Sequence, residues 1–578
     1  MELEEEEKIT EKMSLKSEDV TQVTDIIVCS PDCPIRAVVT SKKMSRNSCC
    51  LSCTSCLRCF YSCSCKKVKR EIPNTCGCVW MLLVLCVFLY TLIWLYVTLI
   101  LKNDIHNFNE EIFRLVGVWQ DWSVIFITVA AVLASYSFVL LILSLCLVVC
   151  SQPLSLHWLH KAILCLCVVL VSLGIIGIDL RWKIEWKAVA ISLQATSPFL
   201  HIGAVIGVSA LAWVLAGYFW QTKNKVLKCL LPMVYIILVC ALFVSPLFIS
   251  SPCIMKVSEL PLKPRIIGHR GAPMLAPENT MMSFDKMVNC GVKVFETDVM
   301  VSWDGIPFLM HDENLLRTTN VSQAFPSRLH QNCSNFTWSE LQSLNAGEWF
   351  LQRNPFGADR SLTETERDEI LQQSIPSLEE VLTACQDRNI SIMFDLRQPP
   401  AGHPYYKSFV NVTINTIVNV SIRHDLILWL PDDQREEVIK AAPGFRQIYG
   451  RKREKNDTVT LEAVNLSYTN ISVSDIRSYR QDNISVNLFV VNKPWLFSHL
   501  WCAGATSVTT NACHLLKDVK QPIWLLDSDS YLIIWIVADV IALIHIIWAF
   551  LVQRACFTKR EEEESEAVLL MKIENLAA

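Results

Sequence analysis

The chain lacks a dominant charge. Its 52 Lys and Arg stand against 56 Asp and Glu, a formal net charge of −4. It has no basic stripe of the kind that follows a phosphate backbone, so nucleic acid is not an expected partner. It also lacks the pattern of a cleavable signal peptide. The opening MELEEEEK is acidic, and the first apolar run begins only near residue 79. That run is expected to stay in the protein as a signal-anchor. Glu2 in second position excludes N-myristoylation. No internal repeat stands out.

Apolar residues, by contrast, make up 52% of the 578 residues, and the chain is too long for one compact domain. The excess is local. Six runs are long enough to cross a bilayer: Val79–Leu101, Val124–Cys150, Ala162–Ile178, Ile202–Trp220, Leu230–Ile249 and Tyr531–Val552. The predicted plan is a cytoplasmic tail (1–78), five spans (79–250), a large segment (251–530), a sixth span (531–552) and a cytoplasmic tail (553–578).

Loop charge gives the orientation. Lys66, Lys67, Lys69 and Arg70 precede the first span. Lys223, Lys225 and Lys228 separate the fourth from the fifth, and Arg554, Lys559 and Arg560 follow the sixth. These sets share one side. The first opposite loop is acidic (Asp104, Glu110, Glu111 and Asp121 against Arg114), while Arg181, Lys183 and Lys187 in the third loop run mildly against the trend. Both termini are expected in the cytoplasm of a multi-pass plasma-membrane protein, with 251–530 extracellular. Ten N-x-S/T sequons agree: Asn320, Asn332, Asn335, Asn389, Asn411, Asn419, Asn456, Asn465, Asn470 and Asn483 all fall in that one segment. Their confinement predicts a glycoprotein.

Eleven of the 25 cysteines precede the first span. The spacing of Cys53, Cys56, Cys59 and Cys63 matches an iron–sulfur run, but Ser64 follows where proline is usual. A zinc site is also permitted by the spacing. The position beside a span and a basic cluster, on the reducing side, favours reversible S-acylation at Cys49, Cys50, Cys53, Cys56, Cys59, Cys63 and Cys65. On the other side, Cys253, Cys290, Cys333, Cys385, Cys502 and Cys513 allow many pairings, and sequence chooses none.

The large segment alternates short apolar strands with helical stretches, the pattern of βα units around a mostly parallel sheet. Its length suits one TIM barrel. Ile266-Ile267 runs into Gly268-His269-Arg270-Gly271. Val294–Val299 carries Glu296 and Asp298, and DGIPFLM delivers His311-Asp312. Ser377 is an expected N-cap, with Glu379 and Glu380 in the first turn. Further strands are predicted at Ile390–Phe394, Leu426–Leu430, Val486–Val491 and Ser507–Thr509. Residues 314–373 read as a long irregular insertion over the active face. Glu296 and Asp298, two apart on a strand, share a face. As hard oxygen ligands they suit one divalent metal, Ca²⁺ or Mg²⁺. An isolated E-x-D would be an ordinary strand end. Two histidines at neighbouring strand ends make it a candidate acid/base site. Arg270 could fork onto phosphate oxygens.

HRG at 269–271, PENT at 277–280, ETD at 296–298, HD at 311–312 and IPSLEEVL at 375–382 resemble the signature of the glycerophosphodiester phosphodiesterases. HNFNEEIF, ISLQATSPFLHIGA, SSPCIM and VNLFVVNKPWLFSHLWCAG are similar to its six-span eukaryotic branch. The resemblance implies an α/β TIM-barrel ectodomain between spans five and six and a metal-assisted, two-histidine mechanism. His269 and His311 become the acid/base pair. Glu296, Asp298 and Asp395, with His311 as a further candidate, become metal ligands. Arg270 and Arg397 would bind phosphate, and Glu278 and Asn279 would position the site. Asp395 and Arg397 stand where the family pattern has Glu and Lys, and Asn511 where it has Asp.

The implied activity is hydrolysis of small glycerophosphodiesters, foremost glycerophosphoinositol to glycerol and inositol phosphate. Three other readings stand beside it. One is cleavage of lipid headgroups such as glycosyl-phosphatidylinositol anchors. One is a signalling protein with an inactive barrel. The last is transport, suggested by Asp539 and His545 in the sixth span, although little polar lining elsewhere favours a packing contact.

Overall fold

The structure is a computed structural model. It describes residues 56–63 and 75–577, apart from 103–107, 117, 119, 150–151, 153, 223 and 455–460. Cys49, Cys50, Cys53, Cys65 and Asn456 therefore lie outside the described residues. Cys56 and Cys63 are exposed and Cys59 is half-buried.

Among the described residues, six helices are long and apolar enough to cross a membrane: Val79–Leu101, Trp122–Val148, Trp158–Arg181, Glu185–Gln221, Lys225–Phe248 and Ser528–Ile573. Each overlaps one of the six expected runs. The fourth starts well before Ile202. Hydropathy falls across its polar first half, but the helix continues because its hydroxyls find partners. Tyr96 Oη lies 2.8 Å from Ser192 Oγ and 3.0 Å from Thr196 Oγ1. The sixth helix runs on to Ala577, supported past its apolar part by an Arg560–Glu564 pair one turn apart.

The chain forms two compact units. The smaller holds 210–233 and 545–577 together with 56–63. Within it, Trp213 and Trp548 approach to 5.3 Å between ring centroids, and Trp220 Nε1 donates to the Phe550 carbonyl. The larger unit holds the remaining helices and a barrel.

The barrel strands are β1 (Arg265–His269), β2 (Val294–Val301), β3 (Pro307–Leu309), β4 (Ser391–Leu396), β5 (Ile427–Trp429), β6 (Arg446–Gln447), β7 (Ala463–Ser467), β8 (Ser485–Phe489) and β9 (Ser507–Thr510). Eight run parallel in the order β6-β5-β4-β2-β1-β9-β8-β7, and β3 pairs antiparallel with β2. A parallel bridge from Tyr449 to Val464 joins the two outer strands and closes the ring. The TIM-type barrel expected from the alternation is present. Its ends meet as well. An Ile254–Leu526 bridge brings the segment entering the barrel against the one leaving it, and a Cys253–Cys502 disulfide (S–S 2.00 Å) ties the entering segment to the helix Pro494–Ala503.

Several expectations need correction. β6 and β7 fall outside the predicted strands, and β6 is too short for any alternation to show. Asn465, proposed as a glycan site, sits in β7 with 7% exposure, and its Oδ1 accepts from Asn487 Nδ2 at 2.7 Å. A local tripeptide cannot report that burial. Residues 314–373 are not irregular. They form short helices, two of them started by capping boxes at Thr337 and Thr363, around a core of Leu315, Phe336, Leu341 and Leu344. Of the six cysteines between 251 and 530, Cys253–Cys502 and Cys290–Cys513 pair, while Cys333 and Cys385 are buried thiols.

Candidate active site

The register of the sheet assembles the site. His269 ends β1 beside Glu296 of β2, and Asp298 is the partner of Asp395 on β4. Thus four groups spread along the sequence come together at one barrel mouth, His269 and Glu296 two residues below Asp298 and Asp395. After His269 the chain turns sharply. Arg270 has φ +54° and Gly271 φ +91°. A Cβ at Gly271 would lie 2.5 Å from Ser283 Oγ and 2.7 Å from backbone, so only glycine fits there. The turn lets Ala272 N–H donate to Ser283 Oγ and Ser283 Oγ donate to the Arg270 carbonyl.

Charges are dense and sheltered. His269 Nδ1 is 2.5 Å from Asn511 Oδ1, which assigns the proton to Nδ1 and leaves Nε2 unprotonated, 3.9 Å from Glu296 Oε2. Burial, with Arg270 adding to it, pushes His269 down to about 3, so the ring is neutral at physiological pH. Burial pushes Glu296 up to about 8, with Asp298 contributing. Burial acts against the Asp298 carboxylate too, but Arg270, His311, His269 and Arg397 together hold it below its ordinary value. Arg270 Nε lies 3.2 Å from Asp298 Oδ2, and Arg397 Nη2 lies 3.2 Å from Asp298 Oδ1 and 3.3 Å from Asp395 Oδ2. Asn279, at φ +54°, donates from Nδ2 to Asp298 and accepts from Thr297 Oγ1.

His311 follows β3, and its Nδ1 is 2.8 Å from Asp312 Oδ1. Asp312 in turn accepts from Arg317 Nε at 2.7 Å, and Arg317 forks onto both oxygens of Glu278 at 2.8 and 2.6 Å. Glu278 also takes Arg270 Nη1 at 2.9 Å. Burial opposes the Glu278 and Asp312 carboxylates, yet these arginine and histidine contacts hold both well below the usual range. Glu278 is thus the hub joining the His269 turn to the His311 dyad. Arg317 was missed from sequence. Its only signal there is a lone basic residue inside the apolar NLLRTT.

A cavity of about 450 Å³ opens beside the site, lined by Asp395, Arg397, Met300, Glu313, Asn332, Ser334, Gln398 and Pro400. Its size suits a small polar molecule. Every sequence-predicted catalytic, phosphate-binding and positioning residue is therefore in one network. The donor chemistry of Glu296, Asp298 and Asp395, three carboxylates at one barrel mouth, fits a hard divalent cation. The ligand set expected with His311 is not converged. Among the described residues no three His, Cys, Asp or Glu side chains cluster as a metal shell, and Arg270 and Arg397 lie against Asp298.

Comparison with known proteins follows the same lines. The sequence pattern of the glycerophosphoryl diester phosphodiesterase family matches residues 269–515. Glycerophosphoinositol inositolphosphodiesterase GDPD2 of Homo sapiens is 49% identical over 530 residues, covering 91% of this chain and 98% of that protein. Glycerophosphodiester phosphodiesterase domain-containing protein 5 of Gallus gallus is 42% identical, covering 87% and 84%. Domain-containing protein 4 of Mus musculus is 33% identical, covering 80% and 78%.

Proposed function

The chain belongs to the glycerophosphoryl diester phosphodiesterase family, and from that membership we propose that it hydrolyses glycerophosphoinositol to glycerol and inositol phosphate on the outer side of the plasma membrane. Glycerophosphodiester phosphodiesterase activity as such follows from the family and its named relatives. The headgroup is taken from the inositolphosphodiesterase, whose extent this chain matches almost completely. The orientation rests on loop charge and sequon confinement. Both termini lie in the cytoplasm, and the cysteines from Cys49 to Cys65 are acylated.

One observation supports the chemistry above the others: the Asn511–His269–Glu296 line at the mouth of a barrel. Because Asn511 Oδ1 accepts the hydrogen bond of Nδ1–H, His269 Nε2 holds a lone pair, and burial keeps that ring neutral. His269 is the base that accepts the proton of the oxygen attacking phosphorus. In its doubly protonated form His311 keeps its Nδ1–H on Asp312 and gives its Nε2 proton to the leaving glycerol oxygen. Water adds across the glycerol–phosphorus bond, glycerol leaves neutral, and inositol keeps the phosphate. Arg270 and Arg397 offset phosphate charge, while Glu278 and Asn279 keep Arg270 and Asp298 in place. Glu296, Asp298 and Asp395 would hold a divalent cation, which when bound withdraws charge from the phosphate oxygens.

The test is headgroup release by the purified full-length chain from glycerophosphoinositol, glycerophosphocholine and glycerophosphoethanolamine, with and without chelator. Inositol phosphate from the first alone supports the proposed substrate. Equal rates on all three would remove it.

A further inference from the structure

The loop after β8 carries two neighbouring side chains that reach in opposite directions. Asn492 Oδ1 accepts from the backbone N–H of Asn511 at 2.9 Å and from Thr510 Oγ1 at 3.4 Å. Asn511 is the residue whose Oδ1 accepts the hydrogen bond of His269 Nδ1–H. The next residue, Lys493, donates from Nζ to the Ile100 carbonyl at 2.9 Å. Ile100 is in the last turn of the helix Thr75–Leu101. Carbonyls there have no partner further along the helix, and the helix dipole favours a cation beside them. The contact is sheltered. Trp495 and Leu496 join one apolar cluster with Trp94, Val97 and Leu101 of that helix. Barrel closure and phosphodiester chemistry do not account for Lys493, yet it stands in NKPW, part of the stretch that resembles the six-span branch.

We infer that Lys493 is a positioning residue. Anchored on the end of the first apolar helix, it fixes the loop that carries Asn492, and Asn492 holds Asn511 against His269. The last turn of a candidate membrane helix thereby supports the proposed base. A protein holding this barrel alone would lack that support. The inference rests on the role proposed for His269, but the linkage itself can be read without turnover.

The experiment uses the full-length chain in detergent as parent, K493M, K493R, N492A and K493M/N492A. Two quantities are measured: glycerophosphodiester hydrolysis per folded molecule, and hydrogen exchange of residues 507–512. K493M is expected to lose about tenfold in kcat with KM nearly unchanged, in the range seen when a supporting hydrogen bond is removed from an active-site ligand. The Asn511 amide should exchange faster. K493R should recover most of both. The double variant should be no worse than the poorer single one, because both act along one chain of contacts. Parental kcat and exchange in K493M would overturn the inference, and so would losses that multiply in the double variant. If the parent hydrolyses no glycerophosphodiester, the functional reading fails, while exchange at Asn511 still decides whether Lys493 supports it.

Discussion

Asp298 and Asp395 face each other as register partners on adjacent strands, and one guanidinium nitrogen of Arg397 lies 3.2 Å from the first and 3.3 Å from the second. A lysine at 397, as in the family pattern, would present a point charge there instead of a planar fork. A cation entering between these carboxylates competes with Arg397. Chelator should abolish hydrolysis, and the rate should return with added Mg²⁺ or Ca²⁺. Asp395→Glu restores the longer acid and should lower the metal concentration needed for half-maximal rate. Asp395→Asn should raise it. Rates titrated against free metal check this, and an unchanged requirement in both variants would remove Asp395 from the metal site.

His269→Ala and His311→Ala should each reduce turnover by about 10²–10⁴-fold, the usual cost of a lost acid or base. They should differ on a substrate with a better leaving group. His311→Ala should recover, since its proton is no longer needed, while His269→Ala should not. Recovery in both, measured by initial rates on a nitrophenyl phosphodiester, would show that neither assignment holds.

His499 supplies a pH dependence remote from the catalytic groups. It is 1% exposed in the helix Pro494–Ala503, and burial lowers it to about 4. Between pH 6.5 and 4 the unfolded chain binds a proton that the folded chain refuses. Stability is therefore lost as pH falls through that window, on the order of 2 kcal/mol by pH 5. His499→Leu should flatten this slope in thermal unfolding at pH 5 and 7.5. A variant with the parental slope would exclude His499 as its source.

Occupied sequons should follow exposure. Asn389, Asn411, Asn419 and Asn483 are exposed, whereas Asn465 is enclosed and bonded to Asn487. Glycopeptide mapping of the secretory form should find sugar on the first four and none on Asn465. Asn465→Gln should lower stability without changing the mass that glycosidase removes. Sugar at Asn465 would contradict the barrel register there.

Much of this site was legible because barrel chemistry collects at strand ends. Short apolar runs ending in His269, in Glu296 and Asp298, and before His311 mark those ends directly. Ser377 announced its helix in the same way, since a capping box is a local signal. The rest depends on distant pairing. Asn511 reads in sequence as a missing charge, and only the β1–β9 ladder shows its amide oxygen facing His269. Arg317 gains its meaning from Glu278, far back in the chain. The two disulfides join cysteines 249 and 223 residues apart, and no spacing rule reaches that far.

The meeting of the barrel's two ends has a consequence for how such a chain can be edited. Ile254 and Leu526 are bridge partners, with Met255 N–H on the Leu526 carbonyl and Leu526 N–H on the Cys253 carbonyl. Bridge partners sit about 5 Å apart, a gap that a residue or two can span. Removing 255–525 and splicing across that gap would return a chain whose preceding and following helices keep their spacing. In genetic terms the barrel can be cut at a single seam, but any barrel put in its place must rebuild the contact that Lys493 makes on Ile100.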